Sequence, residues 1–310
     1  MNIRQLNSEL QKAVTDLNEH LPESSEDLEY FRGWLQKQKH LTARLDDQFL
    51  ISFLRGCKWS VQKAKEKIDS YYTIRTFLPE IFTNRDPFSP EIQRVLKAGI
   101  FYPLPNTVNP SGPRILILNM TDVDVEKTPI DVVTKVIFMT MDILLHEDDN
   151  YVIAGFKVIG NYKNTPLNYL LQITPALTNK YIACVTLAYP GRLKQYLGLN
   201  VQGVFETLFN TIVKPLLSEK LKNRVYLFNS NGFTKVKDVI DLSLLPKEFG
   251  GENGPMQNAA EIWKTKIESW RDWFLDDVKY GSNEKLRVRP SKTYNEYFGM
   301  EGTFRKLSVD

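Results

Sequence analysis

Short apolar runs alternate with helical segments between residues 114 and 229, and this alternation constrains the fold more than any other feature of the sequence. The run R-I-L-I-L-N at 114–119 follows P-S-G-P and is typical of a buried strand. Strands that alternate with helices of roughly ten to fifteen residues imply crossover connections and a mainly parallel sheet. The predicted strands are 114–119, 151–159, 192–200 and 224–229, and the predicted helices are 129–147, 172–188 and 203–213.

Residues 1–95 instead carry apolar residues at helical spacing and show no alternation typical of strands. The pair Asp46–Asp47 and Ser60 are expected to cap two of the helices. Near the other end of the chain, residues 263–274 predict one amphipathic helix, and the sequence from Gly281 is polar without a strong period. We therefore expect a helical N-terminal domain at 1–95, an α/β domain at 96–253, and a C-terminal helix with a polar tail at 254–310.

The composition excludes several classes of protein. With 310 residues, 42% of them hydrophobic, the chain is long enough to bury a core. The net charge of +3 is too small to argue for nucleic-acid binding. Two cysteines and three histidines, none at metal-ligand spacing, exclude a disulfide scaffold and make a zinc site improbable. We expect a cytoplasmic monomer, because no signal peptide opens the chain and no apolar run reaches the ~18 residues of a membrane span.

No motif of a catalytic or nucleotide site is present. The glycine cluster at 250–254 matches neither the dinucleotide fingerprint nor the P-loop. Cys184 lies in an apolar helical segment without a nearby histidine, so a cysteine nucleophile is not expected. The sequence therefore predicts neither an enzyme nor a cofactor, although an isomerase or lipid hydrolase is kept as a weak alternative.

The segment 203–213 predicts an apolar helix. Phe205, Leu208, Phe209 and Ile212 fall on one face, which Val204 extends. Periodicity alone favours a packed crossover helix. The alternative is a lid over an apolar cavity, which an α/β fold is able to hold beside its sheet.

A group of basic residues surrounds that helix. Arg192 and Lys194 lie two apart at the start of a predicted strand and therefore point to the same side. Lys214, Lys220 and Arg224 follow the helix. Taken alone, these residues favour a solvated surface; the alternative is a site for an anionic headgroup or membrane surface.

Several motifs resemble those of the CRAL-TRIO lipid-binding family. The segment 46–64, D-D-Q-F-L-I-S-F-L-R-G-C-K-W-S-V-Q-K-A, resembles the family signature "DD-x-x-L-x-R-F-L-R-A-R-K-F-D-V-x-x-A". Four further blocks follow in the family's order. They are Q-I-T-P at 172–175, Y-P-G-R-L-K at 189–194, K-P-L-L-S-E-K-L-K-N-R at 214–224 and L-P-K-E-F-G-G at 245–251. The tocopherol-transfer-like and retinaldehyde-binding-like branch is the nearest, and residues 301–310 resemble the tails of insect members.

This resemblance implies a fold, a ligand and two sites. The fold is an all-helical N-terminal domain followed by an α/β lipid-binding domain with a mainly parallel sheet and a mobile apolar gate helix. The gate would be about 201–213, closing over a tocopherol, retinoid, carotenoid or similar lipid. A phosphoinositide-containing membrane would be contacted peripherally and transiently through Arg192, Lys194, Lys214, Lys220 and Arg224. The implied pocket residues are Phe138, Met141, Phe156, Val158, Leu167, Ile173, Leu177, Tyr181, Val185, Tyr189, Tyr196, Val204, Phe205, Leu208, Phe209 and Ile212.

The chain departs from the family pattern near the expected sites. Cys57 replaces the second Arg of "F-L-R-A-R", which would remove one phosphoinositide contact unless Lys58 substitutes for it. Gly203 lies where the family places "I-N-x-P" before the gate, and a glycine there would loosen the hinge. The main alternative function is therefore a phosphoinositide-binding sensor or scaffold that does not exchange lipid.

Overall fold

A five-stranded sheet organises the molecule. The computed structural model describes residues 3–19, 23–229, 236, 240–288, 290 and 292–298, so the insect-like tail at 301–310 lies outside the described residues. The strands follow chain order across the sheet: the edge pair is antiparallel and the other three pairs are parallel, which confirms the predicted sheet. They are β2 (Phe101–Pro103), β3 (Arg114–Asn119), β4 (Phe156–Asn161), β5 (Leu193–Leu199) and β6 (Val225–Leu227).

The two faces of the sheet are covered by different parts of the chain. One face, with Leu116, Val158 and Tyr196, packs into a core that it shares with the N-terminal helices. The opposite face packs against the segments around Leu245 and Phe249. Both faces are apolar because crossover connections place chain on each side of a parallel sheet.

Most of the remaining elements in the described residues are helices. The helical N-terminal region is confirmed, and Asp46 and Ser60 cap their helices as predicted, accepting from the backbone N–H groups of Phe49 and Lys63. The helices up to the sheet are α1 (Ser8–Thr15), α2 (Glu23–Gln36), α3 (Asp47–Gly56), α4 (Val61–Phe77), α5 (Pro79–Phe82) and α6 (Pro90–Lys97). Those that follow are α7 (Ile130–Glu147), α8 (Asp149–Ile153), α9 (Leu167–Leu170), α10 (Pro175–Ala183), α11 (Gly203–Leu208), α12 (Glu219–Lys222), α13 (Met256–Ser269), α14 (Arg271–Asp276) and α15 (Tyr294–Phe298).

Three local predictions are wrong. The apolar run 151–159 is not one strand: its first part belongs to α8, whose cap Asp148 accepts from the N–H of Tyr151, and Gly155 with φ 84° turns the chain into β4. The amphipathic segment 263–274 is two helices that meet at Trp270. The N-terminal region also contains a strand, β1 (Leu41–Thr42), which pairs antiparallel with β7 (Gly281–Ser282).

The N-terminal helices are fastened to the α/β domain by close backbone approach. A Cβ at Gly56, the last residue of α3, would lie 2.5 Å from Pro190. The guanidinium of Arg192 donates to the carbonyl oxygens of Arg55 and Gly56, at 3.1 and 2.9 Å. Lys67 of α4 donates to the carbonyl of Thr186 at 2.7 Å. The segment that leads into β5 therefore carries the junction between the two regions.

A buried group of four charges, here termed the ion quartet, lies where α4, α7 and the C-terminal segment meet. Asp142 accepts from Arg75 at 2.9 and 3.0 Å and from Arg85 at 2.6 Å. Both guanidiniums also contact the carboxylate of Asp277 at 2.5 Å. All four side chains are at most 5% exposed. The nearby guanidiniums hold the pKa of the Asp142 carboxyl well below its ordinary value although burial opposes this.

Neutralising one member of the ion quartet should destabilise the fold strongly. Asp142→Asn leaves two buried guanidiniums facing a single carboxylate, which is expected to cost about 3–5 kcal/mol in the free energy of unfolding. Urea unfolding at neutral pH measures the effect. Asp131→Asn, an exposed change on the same helix, is the control and should stay within about 0.5 kcal/mol of the parent. An equal loss in both variants would contradict this account of the ion quartet.

His146 makes the stability depend on pH. Its ring is stacked on Phe49 at 4.7 Å and contacts Trp270 and Trp273 edge-on, and its Nε2 atom has no partner among the described residues. Burial lowers the pKa of His146 to about 4, and Arg44 acts in the same direction. The carboxylates of Asp46, Asp142 and Asp277 oppose the shift. The folded state therefore keeps His146 neutral where the unfolded chain would already bind a proton.

The protein should therefore lose stability on acidification, because the unfolded chain binds a proton at His146 more tightly than the folded protein does. The stabilising contribution of neutral His146 is fully present above pH 6.5 and is lost as pH falls toward 4, so about 2 kcal/mol should disappear between pH 7 and pH 5. Denaturant unfolding at both pH values measures it, with His146→Gln as the non-titrating variant. If the variant loses as much stability on acidification as the parent, another group is responsible.

Candidate functional site

The predicted gate is helical but not one regular helix. It begins as α11, widens into a π-helical turn over Phe209–Val213 and tightens into a 3₁₀ turn over Lys214–Leu216. Single π-helical turns within α-helices frequently mark functional sites. A second π-helical turn, Cys184–Ala188, ends α10, the helix against which Phe209–Val213 packs. The two turns therefore lie on neighbouring walls of the same region.

The first turn of the predicted gate packs against the sheet. Phe205 is buried, and its ring centroid lies 4.3 Å from that of Tyr162. The hydroxyls of Tyr162 and Tyr196 hydrogen-bond to each other. Beneath them, Gly160 and Gly198 are register partners on adjacent strands, and a Cβ at Gly160 would lie 2.8 Å from the Tyr196 hydroxyl. Because the two glycines have no side chains, the rings of Tyr162 and Tyr196 are able to lie directly over the strands.

Tyr181 and Tyr196 are interior residues that nevertheless keep accessible surface. Both pack against the main core and are only partly buried by surface area. Burial raises the pKa of Tyr196 and Tyr181 well above the ordinary tyrosine value, and that of Tyr162 to about 12. Each of these phenols is thus surrounded by protein and still keeps accessible surface.

The other residues of the predicted pocket fall into three groups. Leu167 and Val204 are 52% and 48% exposed beside the gate. Tyr189 is fully buried and donates its hydroxyl to Asp142 at 2.6 Å, so it belongs with the ion quartet. Four other predicted pocket residues are also buried in the core: Phe138, Met141, Phe156 and Val158. The remaining six are partly buried, like Tyr181 and Tyr196: Ile173, Leu177, Val185, Leu208, Phe209 and Ile212.

Tyr162 was not predicted from the sequence. It directly follows β4, and in the sequence it is the second residue of a polar segment, N-Y-K-N, that is typical of a turn. The one sequence feature that could have indicated a role for Tyr162 is its position two residues after Gly160, in the segment I-G-N-Y. A separate cavity of about 310 Å³ lies elsewhere, lined in part by Leu104, Pro246 and Gly254, and it includes none of the predicted pocket residues.

The predicted basic residues divide into two groups. Arg192 and Arg224 are half-buried, and their guanidiniums donate to backbone carbonyls, that of Arg224 to Leu193. Lys194, Lys214 and Lys220 are exposed. Partial burial lowers the pKa of Lys194, and the charges of Arg192, Arg224, Lys58 and Lys220 lower it further.

We define the basic cluster as Lys194 and the four positively charged residues that lower its pKa, which are Lys58, Arg192, Lys220 and Arg224. Lys58 is exposed at the end of α3, next to Cys57, whose thiol is buried and has its pKa raised by that burial to about 11. A lysine therefore stands near the place where the family has arginine. Lys214 lies on the turn after the gate and is exposed.

Other chemistry is not favoured at this site. Burial raises the pKa of the Cys184 thiol far above neutrality, which disfavours a thiolate nucleophile. Within the described ranges, no three His, Cys, Asp or Glu side chains come together in a way that would hold a metal ion. None of the helices in that part of the chain is long and apolar enough to cross a membrane.

Comparisons with known proteins agree with this arrangement. A sequence model of the CRAL/TRIO domain matches residues 98–251, and one described as a Pinta-like UBA domain matches residues 20–92. The chain is 28% identical over 269 residues to the human "Alpha-tocopherol transfer protein-like", covering 85% of this chain and 76% of that protein. It is 27% identical over 247 residues to Clavesin-1 of Xenopus laevis, covering 79% and 73%. A solved structure, "Crystal structure of Sfh5", aligns with a TM-score of 0.44 at 11% identity, over 86% of this chain and 99% of that one.

The matched domain contains the sheet, the gate and the basic cluster except Lys58, and its relatives align over most of their own length. These findings support lipid binding or transfer in general. The chain belongs to the CRAL-TRIO family, in its tocopherol-transfer-like branch.

Proposed function

We propose that this protein binds one small hydrophobic lipid between the sheet and the gate and exchanges it at anionic membranes. The observation that carries the proposal is that Tyr181 and Tyr196 are desolvated in the interior and still border accessible space. Phe205 covers this space, and partly buried apolar side chains of the gate, such as Phe209, face the same core. A lipid that fills it would gain about 25 cal/mol for each Å² of apolar area removed from water.

The ligand class follows from the site and from the relatives. A tocopherol, a retinoid, a carotenoid or a similar lipid suits a site walled by aromatic and aliphatic side chains. The similarity to alpha-tocopherol transfer protein-like supports the same class. Tyr181, Tyr196, Phe205, Leu208, Phe209 and Ile212 are the proposed lining residues.

The surface beside the gate suits contact with a membrane. Leu167, Leu171 and Val204 are each about half exposed, and the loop that precedes α9 approaches the gate, since Gln202 donates to the carbonyl of Thr165 at 3.4 Å. The basic cluster supplies positive charge at the protein surface. We propose that this cluster contacts phosphoinositide headgroups while the apolar side chains meet the acyl region, which would favour gate opening at the membrane.

Lipid capture followed by vesicle transfer tests the function. The protein is incubated with a total lipid extract, re-isolated and analysed by native and denaturing mass spectrometry. One stoichiometric hydrophobic species is expected. Its transfer to vesicles containing phosphoinositide is then compared between the parent and Lys194→Glu/Lys220→Glu, which should weaken vesicle binding roughly 30-fold or more because each basic residue contributes about 1 kcal/mol.

The matched control is Lys97→Glu/Lys285→Glu, which changes the net charge equally at exposed positions outside the basic cluster. It should transfer lipid like the parent, and all variants should retain the captured ligand. A protein that stays empty but binds the vesicles would instead support a sensor or scaffold that does not exchange lipid. Equal loss of ligand and of vesicle binding in the cluster variant would contradict the separation of the two sites.

The hinge of the gate gives a second prediction. Gly203 is the first residue of α11, its φ is not positive, and a Cβ there would meet nothing within 4 Å. Gly203→Ala should therefore stabilise the closed helical gate by about 0.4–1 kcal/mol, which slows ligand release roughly two- to five-fold. The measurement is the rate of ligand transfer to excess acceptor vesicles.

Gly33→Ala is the matched control, because Gly33 lies within α2 with equally open surroundings. It should raise the stability of the protein by a similar amount and leave the release rate unchanged. Unchanged release in Gly203→Ala would mean that α11 stays intact when the gate opens.

A further inference from the structure

Three tyrosine hydroxyls converge from two sides of the proposed lipid site. Tyr162 and Tyr196 come from the sheet and Tyr181 from α10. Each perturbs the ionisation of another: Tyr162 raises the pKa of both Tyr181 and Tyr196, and Tyr181 raises that of Tyr196. Tyr162 and Tyr196 share a hydrogen bond, and all three side chains belong to or pack against the same hydrophobic core.

The hydrogen bonds among these phenols leave donors unused. In the pair Tyr162–Tyr196 one hydroxyl donates and the other accepts, so the accepting hydroxyl still has its own proton to donate. No hydrogen-bond partner is found for the Tyr181 hydroxyl in the part of the chain that the structure describes, and unlike the fully enclosed orphan hydroxyls it keeps accessible surface. Two O–H donors are thus available to whatever occupies the space.

The surroundings of these donors are otherwise apolar. Tyr162 is covered by Phe205, Tyr181 lies against Phe138 at 5.5 Å, and Leu227 lies over Gly198. In the empty site, water is able to satisfy the hydroxyls. A ligand that fills the site displaces this water, and a buried donor that then has no acceptor is energetically costly.

We propose that Tyr162, Tyr181 and Tyr196 select lipids that carry a hydrogen-bond-accepting oxygen, as an alcohol, carbonyl, ether or ester, over pure hydrocarbons of the same shape. This inference rests on the proposed function and narrows its ligand class. The hydroxyls bind the oxygen, and the aromatic and aliphatic walls bind the hydrocarbon part. The preference should be at least roughly ten-fold for one satisfied donor.

Matched branched-chain probes test the selection. Phytane and phytanyl methyl ether share a saturated branched skeleton and differ in a terminal methoxy group, whose oxygen accepts a hydrogen bond and donates none. The full-length protein is equilibrated with vesicles containing both in equal amounts and re-isolated, and the bound ratio is measured by mass spectrometry against the ratio left in the vesicles. The parent should favour the ether roughly ten-fold or more, and Tyr181→Phe and the double variant Tyr162→Phe/Tyr196→Phe should each lower this preference at least three-fold.

Tyr102→Phe is the matched control. Tyr102 is buried and its hydroxyl lacks a partner among the described residues, but it packs in the core on the opposite face of the sheet. The control should keep the preference of the parent. A parent protein that binds both probes without preference overturns the selection and leaves the lipid site intact, whereas one that captures neither probe nor any lipid from an extract overturns the proposed function itself.

Discussion

The ion quartet is the interaction on which the rest of the structure depends. It joins residues 75, 85, 142 and 277, which come from α4, the loop after α5, α7 and the C-terminal segment. Two guanidiniums and two carboxylates balance in charge, so the set tolerates burial only when all four are present. Phe138 lies one turn before Asp142 on α7, and Tyr189 hydrogen-bonds to the same carboxylate. The charges thus fix the wall of the proposed lipid site and the start of the segment that leads into β5.

Local patterns in the sequence predicted the elements near the site but not the contacts between them. The strands 114–119 and 192–200 and the helix 129–147 have clear periods, and the structure contains each of them within a residue or two. The run 151–159 failed because its apolar residues suit a buried helix as well as a strand, and only the cap at Asp148 decides between the two. No sequence pattern predicts the ion quartet, since its members are separated by up to about two hundred residues and pair only through the tertiary fold.

The basic residues show why residue type and spacing alone do not assign a role. Arg192 and Lys194 do lie at the start of β5, as spacing predicts, but the guanidinium of Arg192 donates to carbonyls at the end of α3 and holds the two regions together. Arg224 likewise donates to the backbone of β5. A guanidinium with several donors is able to bind carbonyl oxygens and still add positive charge at the surface. Exposed lysines around it, which have fewer fixed partners, are better suited to meet headgroups that vary in position.

The rigid and the yielding parts of the molecule are separated in a way that suits gated exchange. The ion quartet and the aromatic core around Phe49 and Tyr71 surround the inner wall of the proposed site. The outer wall consists of short, irregular helices, because α10 and α11 each run into a π-helical turn. Within α11, the main contact with the sheet is that of the Phe205 ring with Tyr162. Segments with few buried apolar contacts open at lower free energy than the global fold. Opening of this outer wall therefore need not disturb the charges that hold the inner one, and a ligand could leave while the fold stays intact.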